Sequence, residues 1–139
     1  MPAGTLWLIP TTLGGDHTNQ VIPQGVLNRL RELTCFFAEE PKTARAFLKL
    51  AAHPGPIASL RIERLTNASS PTELDTMIEI LRQGDDAAIL SEAGCPALAD
   101  PGATLIQLAH AANIRVAPLT GPSSITLALM ASGLETQRF

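Results

Sequence analysis

Short apolar segments alternate with amphipathic segments along the whole chain, and this alternation limits the possible folds more than any other feature. The apolar segments, rich in residues that favour strands, are residues 5–9, 35–37, 57–65, 87–90 and 114–117. Each is followed by apolar residues at helical spacing. Four helices are expected to begin at Pro23, Pro41, Pro71 and Pro101, and a final helix to follow the loop that ends at Ser124. This order predicts a three-layer α/β/α fold, with a five-stranded parallel sheet between two layers of helices.

Three helix ends carry recognisable signals. Ser70 precedes Pro71 and is expected to cap the helix over 71–82, because a serine oxygen can accept a hydrogen bond from the first turn. Asp100 followed by Pro101 has the same form. Gly133 is expected to close the last helix in the left-handed conformation.

Composition narrows the class of protein. The 139 residues suit a single domain, and 45% hydrophobic against 17% charged residues indicates a well-filled core. A net charge of −3 argues against RNA binding by this chain alone. Neither Cys35 and Cys95 nor the three histidines have metal-ligand spacing, so no metal and no disulfide framework are expected.

The amino-terminal segment shows no sign of export. It lacks a basic region before an apolar one, and no apolar run approaches the length of a membrane-spanning helix. We therefore expect a cytoplasmic protein with no membrane partner.

The stretch from Ala88 to Gly102 is the centre of the predicted site. It reads as a strand, a loop of small residues and the start of a helix. In an open α/β sheet, ligands bind at the carboxyl ends of the strands, where such loops form crevices. A second loop of small residues over 118–124 and a long polar loop over 10–22 follow two other predicted strands.

The motifs in these loops resemble those of a known family. Ser91-Glu92-Ala93-Gly94-Cys95-Pro96, then Ala99-Asp100-Pro101-Gly102 and Gly121-Pro122-Ser123, are similar to motifs of the tetrapyrrole methylase superfamily of S-adenosylmethionine-dependent methyltransferases. The nearest branch methylates the ribose 2′-hydroxyl of small-subunit ribosomal RNA. Leu6 to Gly14 and Ala38-Glu39-Glu40 are similar to the opening strand and to the segment after the second strand of that branch.

The resemblance runs from Thr5 to Phe139 and implies a particular organisation. Family members have two α/β domains with S-adenosylmethionine bound between them, and they are usually homodimers. Residues 1–139 match the first domain, so the second is expected to lie outside this chain. The resemblance implies a methyltransferase whose RNA acceptor is bound through that second domain, and this half alone is expected to be inactive.

The motifs also imply which residues form the site. A sulfonium donor is already activated, so the protein mainly has to hold donor and acceptor close and in line. The acceptor is expected near Thr11 to Asp16, with Glu39 or Glu92 as weak candidates for accepting its proton. The expected donor-binding residues are Pro10, Gly94, Cys95, Leu98, Ser123 and Ser124.

Simpler interpretations stay open at this point. Ser123 and Ser124 could only cap a helix, and Gly94 could only permit a tight turn. The whole chain could be a noncatalytic ligand-binding or dimerisation module, or part of a tetrapyrrole C-methyltransferase. An unrelated nucleotide-binding domain is disfavoured, because no GxGxxG or GxxxxGK[ST] motif follows the first strand.

Overall fold

The computed structural model describes residues 2–98 and 101–138, and its centre is a five-stranded sheet in which every pairing is parallel. The spatial order is β3-β2-β4-β1-β5, which confirms the predicted parallel α/β sheet. The strands are β1 (Leu6–Ile9), β2 (Cys35–Ala38), β3 (Arg61–Arg64), β4 (Ala87–Leu90) and β5 (Val116–Pro118).

Helices cover both faces of the sheet. They are α1 (Thr18–Val21), α2 (Gln24–Glu32), α3 (Pro41–Leu50), α4 (Pro71–Arg82), α5 (Ala103–Ala111) and α6 (Ser124–Ser132). Strand residues alternate between two cores: Phe37 and Ile89 face α4 and α5, whereas Phe36 and Ala88 face α2 and α3. The sheet with a core on each face gives the three predicted layers.

Several element boundaries differ from the sequence prediction. The third strand was expected over 57–65, but residues Ile57–Ser59 form a 3₁₀ turn and only Arg61–Arg64 pair. This strand lies at the sheet edge and is paired on one side only, with both arginines exposed. The sequence prediction therefore made the third strand too long.

The other differences concern loops and a helix start. The long first loop contains the one-turn helix α1, which has no apolar stripe to reveal it. The fifth strand is Val116–Pro118 rather than 114–117. Helix α5 begins at Ala103, not at Pro101, with Gly102 at its amino-terminal boundary. The expected cap Asp100 lies outside the described residues.

The remaining helix-end signals are confirmed. Ser70 accepts a hydrogen bond from the Glu73 N–H at 3.1 Å, and the Glu73 carboxylate accepts one from the Ser70 N–H at 3.2 Å. This reciprocal pair is a capping box. Gly133 ends α6 with φ of 71°, as expected.

Strand β1 lies between β4 and β5 in the sheet. Leu6 pairs with Ala87 of β4 on one side and with Val116 of β5 on the other. The first strand is thus held by the fourth and fifth, and its loop lies between theirs.

Helix α6 differs from the other helices because none of its residues is buried. Ile125, Leu127 and Met130 are 41%, 47% and 79% exposed, and Leu134 just after the helix is 71% exposed. Among the described residues, no helix is long and apolar enough to cross a membrane.

Candidate functional site

The loops after β1, β4 and β5 meet at the carboxyl edge of the sheet. We call them the β1 loop (10–17), the β4 loop (91–98) and the β5 loop (119–123). The Thr11 N–H donates to the Gly94 carbonyl at 3.0 Å, and the Gly94 N–H donates to the Thr12 carbonyl at 3.4 Å. These two bonds fix the β1 loop to the β4 loop.

The β5 loop joins the other two through close packing. The Cys95 thiol donates to the carbonyls of Gly121 and Pro122 at 3.4 and 3.3 Å. A side chain at Gly121 would overlap the ring of Pro10. Each loop therefore touches the other two, and the three form one interlocked unit.

Gly94 is a second position where the loops pack too closely for a side chain. Its φ is +73°, in the left-handed region, and a Cβ there would lie 2.8 Å from the Pro122 carbonyl oxygen. It would also lie 2.9 Å from Cδ2 of Leu13. Glycine is required here by conformation and by space, which supports the tight-turn interpretation.

A cavity of about 320 Å³ opens beside these loops, between α3 and the ends of β1, β2 and β4. We call it the α3 cavity. Its wall on the α3 side is mainly apolar, and the opposite wall carries hydroxyl groups and one carboxylate. The lining residues that matter here are Thr11, Thr12, Ser91 and Glu92 on the polar side, and Phe47 and Leu50 on the apolar side.

The hydroxyl groups on the polar wall of the cavity are hydrogen-bonded to the β1 and β4 loops. Thr11 Oγ1 lies 3.2 Å from Ser91 Oγ and donates to the Ser91 carbonyl at 3.3 Å. Ser91 Oγ in turn donates to the Gly94 carbonyl. Thr11, Thr12 and Ser91 are all buried, so their positions depend on the interlocked loops.

The structure separates the two candidate carboxylates. Glu92 is exposed and lines the α3 cavity. Glu39 is half-buried just after β2 and does not belong to the lining. Of the two, Glu92 has the better position for a group entering the cavity.

Of the predicted donor-binding residues, Pro10, Gly94 and Cys95 lie against the β5 loop, and the roles of all six in binding stay predictions. Pro10 is buried against Gly121, whereas Leu98 is 50% exposed. Ser123 is buried and caps α6 by accepting from the Thr126 N–H at 3.4 Å. Ser124, the first residue of α6, is exposed.

The apolar wall of the cavity was missed in the sequence. In the sequence, Phe47 belongs to the apolar stripe of α3 that is expected to face the core, and Leu50 lies outside that stripe. Only the position of α3 over the strand ends shows that both side chains line a cavity. Ser91 had a usable signal, because it directly follows β4 at the carboxyl end.

The two cysteines differ in environment. Burial raises the pKa of the Cys35 thiol to about 11, and the nearby Arg61 partly opposes this rise. Cys35 is 5% exposed, whereas Cys95 is half-buried in the β4 loop. Within the described ranges, no three His, Cys, Asp or Glu side chains cluster to hold a metal ion.

The parallel sheet with helices on both faces defines a domain of the α/β class, and comparison with known proteins gives its family. Residues 18–139 match the family model described as Tetrapyrrole (Corrin/Porphyrin) Methylases. The chain belongs to this family.

Curated relatives make the comparison more specific. The chain is 33% identical over 136 residues to "Ribosomal RNA small subunit methyltransferase I" of Xylella fastidiosa, covering 98% of this chain and 47% of that protein. It is 34% identical over 142 residues to the protein of the same name from Pseudomonas aeruginosa, covering 100% and 46%. The Escherichia coli O157:H7 protein of that name is 32% identical over 136 residues, covering 98% and 45%. The chain thus spans about half the length of these relatives.

Proposed function

We propose that this chain is the donor-binding half of an S-adenosylmethionine-dependent methyltransferase that acts on RNA, with a ribose hydroxyl as acceptor. The observation that carries the proposal is the interlock of the three loops next to the α3 cavity. It supports two neighbouring binding regions at one sheet edge, one toward β5 and one toward β2. The names of the curated relatives support RNA as the acceptor.

The β5 side suits the methyl donor. Within the described part of the chain, no hydrogen bond to another residue uses the N–H groups of Ala93 or Cys95. Such groups are available to a carboxylate, and the exposed Leu98 offers apolar contact. S-adenosylmethionine, when bound, supplies an activated methyl group. The interlocked loops would hold the donor in a fixed position.

The α3 cavity suits the acceptor. Its volume of about 320 Å³ is at the small end of the range of roughly 300–1,000 Å³ for ligand pockets. That size favours one nucleoside over a four-ring tetrapyrrole. Phe47 and Leu50 would contact the base, and Glu92 would accept the hydroxyl proton or orient that hydroxyl.

The proposal includes a second domain and a second copy of the protein. The relatives are about twice as long as this chain, which supports a two-domain enzyme. The exposed apolar residues of α6 support a homodimer, because an apolar surface of this kind is usually covered. A ribosomal RNA acceptor would place the protein in the cytoplasm.

Binding of S-adenosylhomocysteine, the product of the donor, tests the proposal directly. We expect its titration into the isotopically labelled chain to shift the backbone NMR signals of Gly94, Cys95, Leu98, Ser123 and Ser124. NMR detects weak binding, which is expected if the chain forms only one wall of the cleft.

A pair of substitutions serves as the control. Leu98→Ser should reduce the shifts at a given ligand concentration, whereas Leu134→Ser, at another exposed leucine, should leave them unchanged. Shifts that map to α4 instead, or no shifts at millimolar ligand, would contradict a donor site on the β4 and β5 loops.

A further inference from the structure

Helix α3 carries a row of three cations on its solvent side. Lys42, Arg45 and Lys49 are all exposed, and their spacing of three and four residues puts them on one face of the helix. We call this row the α3 ridge. The helix contains no acidic residue, and the Glu40 carboxylate before it accepts from the Lys42 N–H at 3.2 Å as the helix cap.

Ion pairs neutralise three of the cations that lie outside the ridge. Arg29 pairs with Glu32 at 2.9 Å and Arg61 with Glu63 at 2.8 Å, and Arg82 lies 3.8 Å from Glu79. Among the described side chains, no ion pair includes a ridge residue. The ridge thus places three exposed cations together on a chain of net charge −3.

The ridge borders the α3 cavity. Thr43, Ala46 and Leu50 line the cavity, and each follows a ridge residue by one position. Ala46 is also the helical neighbour of Lys42 at i+4 and of Lys49 at i−3. The cavity-lining residues of α3 thus run beside the ridge along the helix, so the ridge forms one rim of the cavity.

A partner for this surface needs negative charges in a row and a group small enough to enter the cavity. The ridge extends about 10 Å along the helix axis, at 1.5 Å per residue. A single RNA strand presents successive phosphates, and its unstacked nucleosides can enter protein pockets. We propose that the α3 ridge binds the phosphodiester backbone of single-stranded RNA whose acceptor nucleoside occupies the α3 cavity. This assignment rests on the proposed function and adds a contact made by this half of the enzyme.

Salt-dependent RNA binding tests the ridge. The chain is titrated into a fluorescently labelled 12-nucleotide single-stranded RNA, and anisotropy is recorded at several salt concentrations. We expect the triple variant Lys42→Gln/Arg45→Gln/Lys49→Gln to bind at least about tenfold more weakly at low salt. The slope of log K against log salt should fall by about 2, since each phosphate contact on a single strand contributes about 0.7.

A charge-matched variant provides the control. Arg61→Gln/Arg64→Gln/Arg82→Gln removes the same charge from β3 and α4, outside the ridge. We expect it to change the affinity by less than about threefold and to leave the slope nearly unchanged, because these arginines contact no phosphate in the proposal. Thermal unfolding by circular dichroism verifies that both variants fold.

Three results would overturn the assignment. The first is an equal loss of RNA affinity in the two triple variants. The second is no measurable RNA binding by the unmodified chain at 20 mM salt. The third is displacement of the RNA by a polyglutamate peptide at equal charge concentration. The last result would point to an acidic protein partner. Failure of the donor proposal gives a different pattern, namely ridge-dependent RNA binding without NMR shifts from S-adenosylhomocysteine.

Discussion

Gly94 determines how closely the β1, β4 and β5 loops approach one another. Its carbonyl accepts from the Thr11 N–H, its own N–H donates to Thr12, and its missing side chain leaves room for the Pro122 carbonyl. A neighbouring backbone oxygen cannot move without moving its loop. The site therefore depends on this residue even if no ligand atom touches it.

Gly94→Ala should destabilise the fold by about 2–5 kcal/mol, from the left-handed backbone and from the overlap with Pro122 and Leu13. Gly15→Ala is the matched control, because Gly15 also has positive φ, +81°, but nothing within 4 Å of the added Cβ. It should cost only about 1 kcal/mol. Urea unfolding measures both, and equal losses would show that the loops do not pack tightly at Gly94.

Cys35 gives the protein a pH dependence in the alkaline range. The ordinary thiol pKa of 9.0 is raised to about 11 by burial, so the folded state keeps its proton where the unfolded state loses it. The full contribution to stability is present below pH 9 and is lost as pH rises through 11. At about 1.4 kcal/mol per pK unit, the loss is at most about 3 kcal/mol.

Cys35→Ala should remove this slope in the free energy of unfolding between pH 9 and 11, whatever its cost at neutral pH. Cys95→Ala, which alters the half-buried thiol, should keep the slope. Unfolding by urea at several pH values measures it. A Cys35→Ala protein with an unchanged slope would show that other groups cause the alkaline loss.

At the scale of elements, the sequence predicted what local patterns control. The alternation gave the strands and the parallel sheet, and Ser70 and Gly133 marked real helix ends. Helix α1 was missed because four residues without an apolar stripe carry no periodic signal. The α3 cavity was missed because it depends on the distance between α3 and the strand ends, and the residue pattern of a single helix does not contain that distance.

Helix α6 is the element whose surface is least explained by the described residues. It is apolar on all sides, yet no residue in it is buried. A helix of this kind normally lies within a larger core or interface. The proposed homodimer uses this surface.

Leu127→Glu/Met130→Glu should therefore weaken self-association, because two charges would have to enter an apolar interface. Sedimentation velocity over a range of concentrations should show a dimer for the unmodified chain and a monomer for the variant. Val21→Glu, at another exposed apolar residue, is the control and should remain dimeric. An unmodified chain that stays monomeric at 100 μM would contradict a dimer formed through α6.

At the scale of the whole molecule, the average charge does not say where the charges lie on the surface. The net charge of −3 argued against RNA contact by this chain, yet α3 groups three unpaired cations beside a cavity. The average cannot show such a group, because α3 itself contains no acidic residue and only its cap Glu40 is acidic. The positions of the charged side chains indicate a binding surface only after it is known which helix faces are exposed.

The position of β1 between β4 and β5 has a consequence for synthesis on the ribosome. Leu6 is made 81 residues before its partner Ala87 and 110 residues before Val116. At roughly 5–20 residues per second, β1 spends several seconds without a sheet partner on either side. The strand contains Leu6, Trp7, Leu8 and Ile9, so the nascent chain exposes its most apolar amino-terminal segment for that time. This interval is when a chaperone would protect the emerging chain.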